Sequence, residues 1–275
     1  MNEIFSQNET TLRLACFLGV FLLVAGVELL RPRREQRVPK SVRWTNNLAI
    51  MLLNTVAARL VAPTALVAFA LAMNVEGRGL FAQLELPAWA AIALAVVLFD
   101  LLIYAQHVVF HWMPFLWRLH RVHHADPDFD VTTGVRFHPL EILISLGFKF
   151  GIVFILGPPA AGVLLFEILL NAGSLFSHGN LSLPGPLDRV LRWVLVTPDM
   201  HRVHHSVERA ETDSNFGFCL SWWDRLFRTY RQAPQAGHDG MQIGIGAFTG
   251  DREQRLVELL KQPFEAVRPD RADGR

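Results

Sequence analysis

The stretch His120-Arg121-Val122-His123-His124 recurs as His201-Arg202-Val203-His204-His205. A third pair, His107 and His111, lies just before the first stretch, and ten of the eleven histidines fall between residues 107 and 205. Imidazole is the commonest metal-ligating side chain. Residues three or four apart share one face of a helix, so each of these histidine boxes can direct its imidazoles to one side. The sequence therefore predicts a helical scaffold built around a histidine-rich metal centre.

The composition is typical of a membrane protein. Of the 275 residues, 51% are hydrophobic and 19% are charged, whereas about 25% are charged in ordinary soluble domains. The formal net charge is +1, so the charge balance gives no reason to expect a nucleic acid partner. Cys16 and Cys219 match neither a disulfide framework nor a zinc-finger spacing, and we expect both to be reduced.

Five apolar stretches approach or exceed the length of a membrane span, which is about 20 residues. The stretches are 14–30, 48–73, 87–110, 140–156 and 160–176. Gly157-Pro158-Pro159 joins the last two and predicts a tight hairpin. The predicted fold class is all-α: a polytopic membrane helical bundle with a cytoplasmic helical cap that carries the histidine boxes.

The distribution of Lys and Arg predicts how these spans are oriented. Residues 31–44 contain six Lys or Arg, whereas residues 74–86 contain only Arg78. Loops rich in positive charge stay in the cytoplasm, and counting the spans onward from 31–44 puts all three histidine boxes on that side. We therefore expect an integral protein of the bacterial inner (cell) membrane whose boxes face the cytoplasm.

The sequence also predicts three regions along the chain. Residues 1–86 form the N-terminal membrane spans, and residues 87–235 form a histidine-box catalytic domain that contains the membrane hairpin 140–176. Residues 236–275 read as a polar C-terminal tail with one short helix near 252–261 and a surface histidine, His238.

Eight histidines in three boxes exceed the needs of one metal, because a zinc site takes four ligands. The count predicts two metals, and imidazole binds Zn, Cu, Fe and Ni alike, so the ligand type leaves the metal open. Asp100 and Tyr104 extend the helical stripe of His107 and His111 upstream. Because an ionisable side chain inside a span is costly and marks function, we expect Asp100 to accept a hydrogen bond from a ligand histidine. An ion pair with Arg59 is the alternative.

The boxes and their surroundings resemble the fatty acid hydroxylase / sterol desaturase superfamily of integral membrane enzymes. The resemblance covers residues 90–232 and begins with the pattern Asp100-x3-Tyr104-x2-His107-x3-His111, followed by the two pentapeptides. The matching context comprises Phe137-His138-Pro139-Leu140-Glu141, Phe176-Ser177-His178-Gly179-Asn180, Thr197-Pro198-Asp199-Met200, Asn215-Phe216-Gly217-Phe218, Trp222-Trp223-Asp224-Arg225-Leu226-Phe227 and Thr229-Tyr230.

This resemblance implies a membrane-bound non-haem di-iron oxidoreductase that uses O2 to hydroxylate or desaturate a C–H bond of a lipid, such as a sterol or a fatty-acyl lipid. Two electrons would come from NAD(P)H through a separate electron-transfer protein of the ferredoxin or cytochrome b5 type. The lipid stays open, as does the choice among hydroxylation, desaturation and ether cleavage.

The resemblance also implies the residues of the site. His138 is expected near the ligands or the substrate channel and, with Asp100 and Tyr104, is predicted to support catalysis. The implied metal ligands are His107, His111, His120, His123, His124, His178, His201, His204 and His205.

Other kinds of membrane metalloprotein use histidines too. An intramembrane zinc protease needs a glutamate beside its first histidine, as in His-Glu-x-x-His, and the three boxes contain no glutamate. A haem-binding electron carrier needs two axial histidines rather than clustered triplets. A metal transporter or sensor without catalysis is the remaining alternative, and counting the bound metals separates it from an oxygenase.

Overall fold

The computed structural model describes residues 2–62 and 64–266. Within these residues the chain is helical, and its β contacts are two isolated bridges, Leu195–Leu220 and Ser206–Ile243. Five helical segments are long and apolar enough to cross a membrane. The predicted all-α membrane bundle is confirmed. Pro63 of the second apolar stretch and residues 267–275 of the predicted tail lie outside the described residues.

The α-helices fall into a membrane part and a cap. In chain order they are α1 (Asn2–Leu30), α2 (Lys40–Val61), α3 (Leu66–Val75), α4 (Ala88–Trp112), α5 (Pro114–His124), α6 (Pro139–Leu156), α7 (Ala160–Ser177), α8 (Gly185–Leu191), α9 (Pro198–His204), α10 (Arg209–Thr212), α11 (Trp222–Leu226), α12 (Gly237–Gly240) and α13 (Leu256–Lys261). Short 3-10 helices cover Leu80–Gln83, Thr133–Val135 and Gln262–Phe264. The membrane part consists of α1–α4, α6 and α7, and the other helices belong to the cap.

The second predicted span, residues 48–73, is broken into two helices in the structure. α2 ends at Val61, and α3 begins at Leu66. The residue before a proline is biased away from the helical conformation, which explains the break beside Pro63. α3 then packs against α6 and α7 through an apolar core that contains Leu66 and Phe166.

The hairpin of α6 and α7 lies at the centre of the membrane part, where α7 packs against α1, α3 and α4. Gly157 ends α6 with a φ of 59°, a left-handed conformation that favours glycine. A Cβ atom at Gly157 would lie 2.0 Å from the carbonyl oxygen of Arg78. The turn therefore needs glycine for its backbone angle and for this close approach.

The polar loop at residues 125–136 is buried, although its composition suggests an exposed loop. Its carboxylates surround Arg43 of α2, whose guanidinium is fully buried. Asp126 accepts from Arg43 Nε at 2.7 Å, and Asp130 pairs with the same guanidinium. A buried arginine is tolerated where carboxylates pair with it, and these pairs fix the cap to α2.

Residues 241–264 are partly buried, because the helices in this segment pack against α2 and α5. Met241 and Leu259 are buried, and Leu259 lies in one apolar cluster with Ile50 and Val122. Met241 and Ile243 pack against Phe129 of the loop 125–136. These few apolar contacts bury a segment whose composition is otherwise polar. His238, predicted at the surface, is half-buried.

Candidate metal centre

Helix ends bring the histidine boxes together. α4 carries the first pair near its C-terminal end, α5 carries the first pentapeptide, and α9 carries most of the second. Pro114 and Pro198 each occupy the first turn of a helix, where the missing N–H of proline is not needed. Thr197 caps α9 by accepting from the backbone N–H of Met200. His178 follows the last residue of α7.

The ligand nitrogens form two adjacent groups of buried histidines. Within each group they lie within 4.8 Å of one another. The first group is His107, His111, His120, His124 and His204, and the second is His123, His178, His201 and His205. The groups touch, since the rings of His124 and His205 stack at a centroid distance of 4.5 Å. The structure thus brings together all nine histidines predicted as ligands and leaves His138 outside both groups.

Each pentapeptide contributes to both groups. His120 and His124 join the first group while His123 joins the second. In the other pentapeptide the pattern is reversed, because His204 joins the first group and the pair His201 and His205 joins the second. With 3.6 residues per turn, residue i+3 lies to one side of the line from i to i+4. The single histidine face that the spacing predicts therefore divides between two sites.

Backbone carbonyl groups fix the tautomer of three of these histidines. In each case Nδ1 donates at 2.7 Å to a carbonyl oxygen: His107 to Phe216, His178 to Ser174 and His204 to Ser214. A carbonyl oxygen can only accept, so Nδ1 carries the proton and the neutral ring turns the lone pair of Nε2 towards the group.

The nitrogen spacing fits metal ions. Nε2 of His107 and Nε2 of His204 are 3.1 Å apart, yet two lone pairs cannot form a hydrogen bond and repel unless a cation lies between them. Other Nε2 pairs within the groups are 3.0 to 3.1 Å apart. Two imidazole nitrogens each about 2.1 Å from one metal, and at right angles to each other, would be about 3.0 Å apart. The two groups are therefore suited to hold two metal ions.

Burial keeps the imidazoles of the cap in the neutral form that metals require. It lowers the pKa of His120 to about 3 and the pKa of His178 to about 4. The pKa of His205 is also lowered well below 6.5, first by burial and then by neighbouring imidazoles. Within the described part of the chain, neither ring nitrogen of His205 has a hydrogen-bond partner. A bound metal would satisfy one of these buried nitrogens.

A carboxylate supports a ligand histidine, but it is Glu141 and not Asp100. Oε1 of Glu141 lies 2.6 Å from Nδ1 of His120, and a carboxyl group at this position orients the ring of a ligand histidine. In the sequence Glu141 is part of the motif Phe137-His138-Pro139-Leu140-Glu141, which by itself assigns it no role. Its position could have suggested a role, because Glu141 lies in the first turn of α6, next to the cap that carries the ligand histidines.

The hydrogen bond expected from a ligand histidine to Asp100 is absent among the described residues, and so is the alternative pair with Arg59. Oδ2 of Asp100 accepts instead from Trp223 Nε1 at 2.8 Å and from the backbone N–H of Leu220 at 3.2 Å. Asp100 precedes His107 by seven residues, which puts it about 10 Å farther along the helix axis. It therefore anchors the segment after residue 215 and not a metal ligand.

Tyr104 has a similar supporting place. Its hydroxyl bonds to Thr229 Oγ1 at 2.8 Å, and its ring stacks on Phe227 and meets Phe216 edge-on. The carbonyl of Phe216 orients His107, so Tyr104 contacts the segment that positions this histidine and does not contact the histidine groups through its hydroxyl.

His138 caps α6 and contacts neither group of histidines. Its Nδ1 accepts from the backbone N–H of Leu140 at 3.2 Å, and its Nε2 lies 3.3 Å from the carbonyl oxygen of Leu260. It also stays outside the lining of the large cavity. The position before Pro139 places His138 at the N-cap of α6, and this role explains why it points away from the channel in which it was expected.

A cavity of about 510 Å³ extends from the first group into the membrane part. It lies among α1, α2, α4, α6 and α7, and His107 and His120 reach it directly. Its walls near the histidines include Phe110, Phe137 and Phe218. The volume is that of a typical small-ligand site, which is about 300–1,000 Å³.

A smaller cavity of about 210 Å³ lies against His111 and is lined by cap residues that include Trp117 and Asp213. The half-buried ring of Trp117 lies 4.9 Å from that of His111, centroid to centroid. The first group is thus approached by one cavity from the membrane part and by another from the cap.

The part of the chain that carries the boxes is similar to a known protein family. The sequence profile described as fatty acid hydroxylase matches residues 92–229, which is half of the chain. Ornithine lipid hydroxylase OlsE of Rhizobium tropici is 30% identical over 174 residues, or 63% of this chain and 50% of that protein. Alkylglycerol monooxygenase of Xenopus tropicalis is 31% identical over 150 residues, or 53% and 31%. Human cholesterol 25-hydroxylase is 26% identical over 144 residues, or 52% of each chain.

The matches thus span about half or less of the length of these relatives. No solved structure matches the chain. The profile match covers all three boxes and His178, the same residues that form the two groups. The chain belongs to the fatty acid hydroxylase family.

Proposed function

We propose that this protein is an integral membrane oxidoreductase that uses O2 and two iron ions to hydroxylate a C–H bond of a lipid. The observation that carries this proposal is the pair of adjacent histidine groups, the first of which opens onto a cavity in the membrane part. The names of the relatives support it, since they describe hydroxylases or monooxygenases of ornithine lipid, alkylglycerol and cholesterol. Hydroxylation rather than desaturation is the version that these names favour.

In this proposal the irons, when bound, supply the activation of O2 and the oxidising power. The residues of the chain bind the metals and orient the lipid. The nine histidines hold the metals as neutral ligands, and Glu141 keeps the Nδ1 proton on His120. The aromatic walls exclude water, and the position of His107 and His120 at the cavity places a lipid C–H bond beside the first group.

The cap serves as the entry for electrons in the same proposal. A separate ferredoxin or cytochrome b5 type protein delivers electrons from NAD(P)H on the cytoplasmic side of the bacterial inner membrane. The smaller cavity beside Trp117 supports this direction, because it approaches the first group from the cap and not from the bilayer. The catalytic domain proposed at residues 87–235 needs α1 and α2 as well, since both line the large cavity.

The test combines metal analysis with lipid analysis. The full chain is produced in bacterial membranes under isotopically labelled O2, and total lipids are compared by mass spectrometry with those of cells that produce His123→Ala. We expect about two irons per purified chain and one lipid class that gains a labelled oxygen only with the unaltered protein.

Two results contradict the proposal. Zinc in place of iron, with no oxygen incorporated, favours a zinc-dependent membrane metalloprotein such as a hydrolase, transporter or sensor. Labelled lipid at equal levels with His123→Ala shows that the histidine groups are not the site of oxidation.

A further inference from the structure

The large cavity is lined, away from the histidines, by charged side chains that lie within membrane spans. Arg13 of α1 and Lys149 of α6 both bond to Glu167 of α7, at 2.6 Å and 3.3 Å. Arg13 also bonds to Glu9 at 2.9 Å. Arg59 of α2 lines the same cavity and forms no ion pair among the described residues. Ionisable groups inside a membrane are costly and mark functional sites by default.

The charges of this cluster do not balance. At this end of the cavity three cations, Arg13, Arg59 and Lys149, lie with two carboxylates, Glu9 and Glu167, so one positive charge lacks a nearby counterpart. The remaining carboxylate of the lining, Glu141, lies at the histidine end, where it bonds to His120. In a medium of low dielectric constant such an excess charge is unfavourable and attracts an anion. A purely structural ion pair that ties α1, α6 and α7 together would explain the first two cations but not Arg59.

One face of α6 connects the cluster to the metal centre. Glu141, Ser145 and Lys149 follow one another at intervals of four residues, and all three line the cavity. Eight residues of helix correspond to about 12 Å along the axis. Glu141 holds the ligand His120 at one end of this stripe, and Lys149 holds Glu167 at the other. The cavity therefore has a metal end and a cationic end separated by a fixed length.

We propose that the cationic end binds the acidic group of an amphiphilic lipid, a carboxylate or a phosphate, through Arg13, Arg59 and Lys149. The apolar chain of the lipid then runs along α6 towards the histidines. The carbon that is oxidised lies about 12 Å from the acidic group, the length of the α6 stripe. This inference rests on the proposed function, because it names the class of substrate that the same cavity accepts.

Binding of three single-chain probes to the purified holoprotein in detergent tests the inference by calorimetry. Palmitate supplies a carboxylate, lysophosphatidic acid supplies a phosphate, and hexadecanol is the uncharged control. We expect at least one acidic probe to bind at least tenfold more tightly than hexadecanol. The acidic probe that binds more tightly identifies the acidic group that the site prefers. Equal affinity for all three probes overturns the proposal.

Variants separate ligand binding from helix packing. Arg59→Gln removes a cation without breaking an ion pair. We expect it to lower the affinity for the acidic probe at least fivefold and to change the affinity for hexadecanol less than twofold. Glu167→Gln removes the competing carboxylate, so we expect it to bind the acidic probe more tightly. Arg78→Gln, in an exposed turn outside the cavity, is the matched control and should change neither affinity.

The change in probe affinity in Glu167→Gln distinguishes a ligand-binding cluster from one that only holds helices together, because the two explanations predict changes of opposite sign. If the cluster only holds helices together, Glu167→Gln weakens every probe, and Arg59→Gln affects none; either result overturns the proposal. Because binding is measured without turnover, a protein that binds acidic probes but oxidises no lipid contradicts only the proposed function. A protein that oxidises a neutral lipid and does not prefer acidic probes contradicts only this inference.

Discussion

At the scale of single residues, His204 illustrates how the backbone prepares a ligand. The carbonyl of Ser214 holds its Nδ1 proton, so Nε2 is committed to the first group. We expect His204→Ala to lower the iron content of the purified protein and to abolish product formation, as measured by elemental analysis and lipid mass spectrometry. His238→Ala, which alters a histidine outside both groups, is the control. Full iron content with normal product in His204→Ala would refute the ligand assignment.

Glu141 gives a second prediction at this scale. A carboxylate behind a ligand histidine raises its basicity, and loss of such a partner lowers metal affinity by about 10–100-fold. We expect Glu141→Gln to lose iron to a competing chelator at correspondingly lower chelator concentrations. Asp100→Asn should keep its iron, because Asp100 bonds to Trp223 and Leu220. Equal iron retention in Glu141→Gln and the unaltered protein would contradict this role.

The contrast between Glu141 and Asp100 shows what spacing can and cannot predict about a site. The histidines of each box are close in sequence, so helical geometry alone predicts that they project to one side of the chain. The bond between Glu141 and His120 joins two helices, α6 and α5, across the buried loop 125–136. Only the tertiary fold brings these residues together, whereas the stripe that pointed to Asp100 leads along α4 and away from the centre.

At the scale of elements, the turn between α6 and α7 depends on one glycine. We expect Gly157→Ala to lower the free energy of unfolding by at least about 1 kcal/mol, the cost of a left-handed residue, because the new methyl group also meets the carbonyl of Arg78. Thermal unfolding in detergent measures the effect. Gly147→Ala is the control on the same helix, with no atom near the new Cβ, and should stabilise by up to about 1 kcal/mol. Unchanged stability in Gly157→Ala would show that the turn relaxes freely.

The elements that the sequence predicts well are those defined by local pattern. Long apolar runs predict the spans because length and composition suffice for a helix that crosses a membrane. The burial of the loop 125–136 and of the segment 241–264 does not follow from local sequence, because partners distant in the chain decide it. Arg43 lies more than eighty residues before the carboxylates that surround it, and no local pattern in 125–136 reveals that pairing.

At the scale of the whole molecule, the positive charge of residues 31–44 predicts a cap in the cytoplasm. In a variant without Cys16 and Cys219, we expect Arg252→Cys to react with a membrane-impermeant maleimide only after intact cells are permeabilised. Arg78→Cys, in the exposed turn at the opposite end of the bundle, should react without permeabilisation. Both positions are exposed, whereas the loop 125–136 is buried and unsuitable for labelling. Reaction of Arg252→Cys from outside would reverse the orientation.

The division of each pentapeptide between the two histidine groups links the two sites thermodynamically. α5 and α9 each supply ligands to both sites. An ion that binds to one site therefore also fixes the positions of the helices that form the other site. By reciprocity, either ion then raises the affinity of the chain for its companion. Native mass spectrometry during iron titration should therefore find chains with no iron and chains with two, and few chains with one. Loading of the pair would be an almost all-or-none event.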